Sequence, residues 1–333
     1  MRVSLTLIAS SVILTACGGG GSSNDGPGAG SSPSTEATPL TSANYVTVAQ
    51  KALSSNAYLL DSASLVTGAQ VSDPKVLVRF GQDQMSKLPG WLAQQPAQAV
   101  GAVQTETEPC DGGGTLTISV NDRNNNQKAD AGDSISLSAN NCSYAGTRLN
   151  GQLNLTINSL SGDPDFYPFS LKATLQYVNL TAQTAQASIV GNGSLAMSLE
   201  ASASNAQAVA LSTPNFSVAS TYGGNTATET LKNYESSLKV SAAGRDESWA
   251  SSANGTLLSS TFGSRSITIE TIAPFVRTGS QAYPARGSAV ITGAAGAKIR
   301  VTALSATSVS IELDADGNGS YETTTTKPWS EVF

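Results

Sequence analysis

From about Ala102 onward, apolar residues recur at every second position, and no other feature of the chain restricts its fold as much. Leu149, Gly151, Leu153, Leu155 and Ile157 alternate with Asn150, Gln152, Asn154 and Thr156. Phe169, Leu171, Ala173, Leu175 and Tyr177 repeat the rule, as do Leu195, Met197, Leu199 and Ala201, and later Ile267/Ile269, Ile299/Val301 and Val309/Ile311/Leu313. Successive side chains of a strand point to opposite faces, so this pattern describes strands with one apolar and one wet side, as in antiparallel sheets. Gly191-Asn192-Gly193, Tyr222-Gly223-Gly224-Asn225 and Ala294-Ala295-Gly296 read as turns between them, and the count comes to roughly a dozen strands.

Before that region the period is helical. Val46, Ala49 and Leu53 fall on one face with Ser42 as cap, and Ser55 or Asn56 opens a second stretch. Asp73-Pro74 opens a third through Val76, Phe80 and Met85, which Pro89-Gly90 ends. The expected fold is mainly β: a long antiparallel sheet, either a curved open sheet or a sandwich, covered by two or three amino-terminal amphipathic helices. The helical segment spans 41–100 and the β domain 101–333. A transmembrane barrel also alternates and the chain ends in Phe333, but counting back by twos gives Glu331, Trp329 and Lys327. Aromatic residues are only 6%, thin for two interfacial girdles.

Charged residues make up 13% of the 333, so Ser, Thr, Asn and Gln supply most of the polarity. The net charge of −6 repels phosphate backbones, and no nucleic-acid partner is expected. Histidine is absent, which removes His-based triads, acid–base pairs and zinc sites.

Met1-Arg2 carries one positive charge ahead of an apolar and Ser/Thr run, Val3 to Ala16, too short to span a bilayer as a stable helix. The run ends in Leu14-Thr15-Ala16-Cys17, which resembles the lipobox of bacterial lipoproteins. The resemblance implies a signal peptide over 1–16, cleavage before Cys17, and diacylglycerol and an amide-linked acyl chain such as palmitate on Cys17. Several acyl chains hold a protein stably at a membrane. Gly18 rather than Asp after the cysteine implies sorting to the outer membrane, with the periplasmic or outer side left open. Residues 17–40, rich in Gly, Ser and Pro, form the expected flexible linker. With Cys17 acylated, Cys110 and Cys142 remain in an oxidising compartment and are expected to pair. Their strand parities differ relative to Leu116, Ile118, Ile135 and Leu137, so the pairing requires a bulge near Asn140-Asn141 or in Gly112–Gly114.

Two loops carry candidate chemistry. Asp314, Asp316, Asn318, Ser320 and Glu322 stand at positions 1, 3, 5, 7 and 9 of a loop with Gly319 at position 6. This oxygen spacing suits calcium, which takes six to eight oxygen ligands. The segment resembles the D-x-D-x-N-G loops of EF-hands, dockerins and integrin-type propellers. Thr325 occupies position 12, where an EF-hand places Glu, and strand-like flanks favour the hairpin type. The weaker candidate is Asp122, Asn124, Asn126, Asp130 and Asp133, where Gln127 replaces the glycine and Arg123 and Lys128 dilute the charge. Plain turn chemistry explains both loops without a metal.

Other motifs carry less. Ser72–Lys75 and Ser236–Lys239 match S-x-x-K without a following K-T-G. Asp163 and Asp165 resemble a glycosidase pair but fit a Gly-Asp-Pro-Asp turn better, and Trp91, Trp249 and Trp329 read as packing. As a whole, the lipobox, the Cys110/Cys142 hairpin and the closing Leu313–Gly319 segment resemble a Gram-negative outer-membrane lipoprotein family that lends no activity. The leading expectation is a non-enzymatic binding or scaffold module for an envelope protein or glycan. A carrier of lipid or another apolar ligand in a sheet-and-helix cavity is the alternative, and a hydrolase comes third.

Overall fold

The computed structural model describes residues 36–60, 75–93, 103–163, 166–203, 206–243 and 246–332. They form one antiparallel sheet of fourteen strands in which every strand pairs with its neighbours in sequence. The strands are β1 (Val103–Pro109), β2 (Thr115–Asn121), β3 (Ser134–Tyr144), β4 (Thr147–Ser161), β5 (Phe169–Gln183), β6 (Ala187–Ala203) and β7 (Ala206–Tyr222). They continue with β8 (Asn225–Ala243), β9 (Asp246–Ser259), β10 (Arg265–Thr278), β11 (Arg286–Thr292), β12 (Lys298–Ser305), β13 (Ser308–Asp314) and β14 (Thr323–Pro328). The sheet is open: β1 and β14 are its two edges. The expected mainly β, antiparallel class is what the chain adopts, as one open sheet rather than a two-sheet sandwich.

One face of the sheet is buried. Leu149, Leu153, Leu155 and Ile157 of β4 point inward, as do Leu171, Ala173, Leu175 and Tyr177 of β5, and Val309, Ile311 and Leu313 of β13. The wet face is knitted by short side chains across strands, such as Thr105–Ser119 at 2.9 Å, Thr107–Thr117 at 3.0 Å and Ser237–Ser252 at 2.7 Å. Such cross-strand hydroxyl pairs are the sheet's counterpart of helical side-chain pairs.

The period of two breaks in mid-strand, and the breaks are regular. Consecutive inward residues step by three at Ala139/Cys142, Tyr177/Leu180, Thr213/Phe216 and Leu231/Tyr234. Register shifts against a neighbouring strand fall at these steps. Asn141, Asn179 and Asn233 adopt positive φ there, as bulge residues do. The neighbouring strands answer with Asn-Gly. Asn150 Oδ1 accepts from Asn141 N–H (2.8 Å) and Asn192 Oδ1 from Asn179 N–H (2.7 Å). Gly151 and Gly193, at φ 103° and 112°, lie where a Cβ would come within 2.2 Å of the carbonyl oxygens of Asn179 and Asn215. Gly191-Asn192-Gly193 is thus not a turn but the middle of β6. The true turns include Tyr222–Asn225 and Ala294–Gly296.

Helix α1 (Tyr45–Leu60) and helix α2 (Lys75–Ala93) cover the inner face. Helix α1 buries Tyr45, Val48, Ala49 and Ala52, with Val46 and Leu53 half-buried beside them. The inward stripe is therefore turned by one residue from Val46/Ala49/Leu53, because Tyr45 has a place to go: its hydroxyl bonds Thr325 Oγ1 of β14 (2.5 Å). No second helix starts at Ser55 or Asn56; α1 runs through both. Lys51 pairs with Glu229 of β8, fixing the helix to the sheet. In α2, Leu77, Phe80, Leu88 and Leu92 are buried, and the helix continues past Pro89-Gly90 to Ala93. Burial of its flanks outweighs the breakers. Asp73-Pro74 lies outside the described residues.

Part of the expected linker belongs to the body. Thr38 N–H donates to Ser266 O (2.8 Å), Ser266 N–H to Glu36 O (3.0 Å) and Ala294 N–H to Thr38 O (2.8 Å), and Leu40 is buried. The chain thus enters between the start of β10 and the β11–β12 turn.

Candidate functional site

In a meander the connections alternate between two ends of the sheet. Residues 110–114, 293–297 and 315–322 lie at one end, together with the chain entry at 36–40. Residues 122–133, 162–163 and 166–168 lie at the other. The two acidic loops are therefore at opposite ends of the body and form separate sites.

The carboxyl-terminal loop begins where β13 ends. Asp314 is fully buried, and its carboxylate accepts the N–H groups of Gly317 (2.8 Å), Asn318 (3.1 Å) and Gly319 (2.9 Å). Asp316 Oδ1 accepts from Asn318 N–H (3.1 Å), Asn318 Oδ1 from Ser320 N–H (2.7 Å), and Glu322 Oε2 from Ala315 N–H (3.0 Å). Positions 4 and 6, Gly317 and Gly319, take φ 73° and 91°. At Gly317 a Cβ would sit 2.9 Å from Gly296 O, so the loop is pressed against the β11–β12 turn. Below it, Arg300 of β12 forks onto Glu312 of β13 (2.6 and 2.7 Å) and lies 4.2 Å over the Tyr321 ring. That hydrogen-bonded fork holds Glu312 below the usual carboxylate range and pushes Arg300 up.

The outcome is a gathering of charge. One carboxylate oxygen each from Asp314, Asp316 and Glu322 lie within 4.8 Å of one another, a cluster able to hold a metal ion. The bonds above leave further lone pairs on each carboxylate for a hard cation, since an ionised carboxylate has about four acceptor sites.

The other loop copies the backbone and not the cluster. Asp122 accepts Asn126 N–H (3.3 Å) and Gln127 N–H (2.7 Å), Asn124 Oδ1 accepts Asn126 N–H (3.2 Å), and Asn126 Oδ1 accepts Lys128 N–H (2.8 Å). Asn125 and Gln127, at positions 4 and 6, again have positive φ, 55° and 63°. Asn318 Nδ2 donates to Asp316 in the carboxyl-terminal loop (2.9 Å), and here two side-chain amides, of Asn124 and Asn126, converge on Asp130 and hold it below the usual carboxylate range. Asp133 spends both oxygens on Arg123 N–H (2.9 Å) and Asp130 N–H (2.7 Å), and burial pushes its pKa up. Among the described residues, Asp314/Asp316/Glu322 is the acidic cluster with metal-holding spacing.

Cys110 and Cys142 are joined, their Cα atoms 5.4 Å apart. The required bulge is at Asn140-Asn141, where the β3–β4 register shifts between Ala139 and Cys142. Positive-φ Gly113 and Gly114 receive it: Ser143 N–H donates to Gly113 O (3.0 Å), and a Cβ on Gly114 would overlap Asn141 O at 1.9 Å. Cys17 and the lipobox lie outside the described residues, as do Ser72 and Asp165. Ser236 is buried and Lys239 exposed, on opposite faces of β8. The S-x-x-K match there brings nothing together. Trp329 is fully buried, its indole N–H shared by Pro284 O and Ser305 O (both 3.0 Å), and Trp249 lies under Arg277 at 4.6 Å. The chain matches no protein-family model, no curated protein and no solved structure. No helix among the described residues is long and apolar enough to cross a membrane.

Proposed function

We propose that this is a lipoprotein of the bacterial outer membrane, acylated on Cys17, whose β body is a non-enzymatic binding or scaffold module. The observation that carries the reading is the wet face of the sheet, where short polar side chains outnumber charges of both signs such as Lys172, Glu200, Lys239 and Glu270. Its polarity comes from hydroxyls and amides bonded across strands, as in Ser136–Asn154 (2.8 Å), Thr221–Thr226 (2.8 Å) and the pairs above. A pre-formed, hydrogen-bonding surface with no single sign of charge suits a polar partner such as an envelope glycan or protein. It costs little ordering on contact.

Entry of the chain at one end of the strands supports the tethered arrangement. The described chain joins the sheet at the end that also carries the disulfide and the Asp314–Glu322 loop. Calcium is the cation we assign to that loop, with Asp314, Asp316, Asn318, Ser320 and Glu322 as oxygen donors, in a stabilising rather than a chemical role.

The test is metabolic labelling with an alkyne-bearing palmitate followed by membrane fractionation. The wild-type chain is expected to take the label and sediment with outer membranes. Cys17→Ser is expected to lose the label and appear in the soluble fraction. Label retained by Cys17→Ser, or a wild-type chain in the soluble fraction, overturns the reading.

A further inference from the structure

We infer that the inner face of the sheet beneath α2 is a binding site for an uncharged amphiphile, an acyl chain with a hydroxyl or ester head, and that α2 moves aside to admit it. The inference goes beyond the tethered module proposed above and does not rest on it, since every residue involved lies in the body.

Four polar side-chain atoms are buried on or against this face without a hydrogen-bond partner: Tyr177 Oη, Gln84 Oε1, Thr213 Oγ1 and Tyr234 Oη. Their residues are 1, 2, 3 and 1% exposed. Buried polar atoms are nearly always satisfied, because an unmet one forfeits its hydration for nothing. Tyr177, which lies under Gly81, and Gln84 on the helix itself mark a place at α2 where a partner belongs, and Thr213 and Tyr234 continue the row along β7 and β8. They also follow the bend line: Tyr177, Thr213 and Tyr234 each flank a three-residue step, and Thr213 and Tyr234 are register partners. The Tyr177 ring meets Phe216 of β7 edge-on at 5.2 Å.

The element above them is poorly built to stay. Helix α2 contains Gly81, Pro89 and Gly90 in its interior, and proline both lacks the N–H for a helical bond and crowds the preceding turn. Gly81 lets the helix backbone settle on the site. A Cβ there would be 2.6 Å from Tyr177 Oη and 2.6 Å from Leu175 Cδ2. Gln84 follows one turn later. Leu77 of α2 now sits over Gly191 of β6, beside Phe216 and Leu180, in the space that an acyl chain would take.

The chemistry of the site selects the head group. The hydroxyls can donate to an ester or exchange bonds with a hydroxyl, the Gln84 amide oxygen can accept from a hydroxyl, and none of these groups carries charge. Asp83, on the same helix, is already engaged by Tyr144. An anionic head would be desolvated among these four groups without a counter-charge from any of them.

The experiment uses the full chain carrying Cys17→Ser, so that no acyl group is covalently attached, with monoolein as the probe. Native mass spectrometry should show a one-to-one monoolein adduct, and amides of α2 should exchange hydrogen more slowly when it is bound. Tyr177→Phe and Gln84→Leu should each weaken binding about tenfold, the worth of one neutral hydrogen bond. Their melting temperatures should be unchanged or raised, because each removes an unmet polar atom. Gly81→Ala should speed uptake by lifting α2 off Tyr177. Absence of a wild-type adduct at the solubility limit overturns the site. Equal affinity in wild type, Tyr177→Phe and Gln84→Leu also overturns it, and oleate binding as tightly as monoolein overturns the uncharged head.

Discussion

Gly193 shows how much of this fold rests on single positions. Its φ of 112° is strained for any L-residue, and a Cβ would press to 2.2 Å from Asn215 O and 3.0 Å from Phe216 Cα. The obstructing atoms are backbone, so no side chain can swing away. Gly193→Ala is expected to cost about 2–4 kcal/mol, the range for a backbone clash with strain. Gly223, also at positive φ (55°) but with nothing within 4 Å, is the control. Gly223→Ala should cost only the strain, about 1 kcal/mol. Urea unfolding of the two variants checks the ordering, and equal losses would show that the close approach in β6 contributes nothing. Asn192 adds to the same node, since its amide oxygen satisfies the Asn179 N–H that the bulge frees.

At the scale of elements, the strands were legible because period two survives wherever one face is buried, as from Phe169 to Tyr177. The bulges were legible only where chemistry demanded one. Cys110 and Cys142 sit at opposing parity, so the bond between them required an extra residue, and Asn140-Asn141 supplies it. No such demand marks Asn192-Gly193, and Asn-Gly is also the strongest hairpin-turn signal, so a bulge receptor there reads as a turn. The helical stripe slipped by one residue because Tyr45 is held by Thr325, nearly three hundred residues away in sequence, which no local pattern reports. In the acidic loops the spacing of oxygens was visible, but which loop gathers its carboxylates was not. The amides of Asn124 and Asn126 turn to Asp130 in one loop, whereas Asp314, Asp316 and Glu322 converge in the other.

Two predictions belong to these elements. Closing a loop of sequence separation 32 should contribute about 3–4 kcal/mol by restricting the unfolded chain. Cys110→Ser with Cys142→Ser should therefore lose that much in urea unfolding, and reductant should do the same to wild type and nothing to the variant. For the Asp314 loop, calcium at about one hundred times its dissociation constant should add about 2.7 kcal/mol and raise the melting temperature by about 5 °C or more. Asp314→Asn with Asp316→Asn should abolish the rise. Asp122→Asn should leave the rise intact, because that loop lacks the cluster. Identical melting of wild type in chelator and calcium would remove calcium from the loop.

For the whole molecule, an open sheet of fourteen strands poses the problem of its two edges, where unpaired N–H and C=O groups invite other chains. Both edge strands are short, seven residues in β1 and six in β14, beside central strands of up to nineteen. Their hydrogen-bond phase adds a second safeguard. Cys110 N–H donates to Gly114 O (3.0 Å), so alternation along β1 turns residues 104, 106 and 108 toward β2 and Val103, Thr105, Thr107 and Pro109 outward. At the other edge, Trp329 N–H donates to Thr307 O (3.1 Å), which turns Thr324, Thr326 and Pro328 outward. Each outward row thus closes on a proline, which has no N–H to offer. The acidic pair Glu106 and Glu108 on β1 adds repulsion between like edges. Pro109→Thr combined with Pro328→Thr would lengthen both donor rows by one. In a Cys17→Ser background, sedimentation velocity should show a single monomeric species for the parent. The double proline variant should associate increasingly with concentration and keep the parent's circular dichroism spectrum. If the double variant stays monomeric at every concentration, edge length alone keeps these molecules apart and the prolines serve only the turns that follow them.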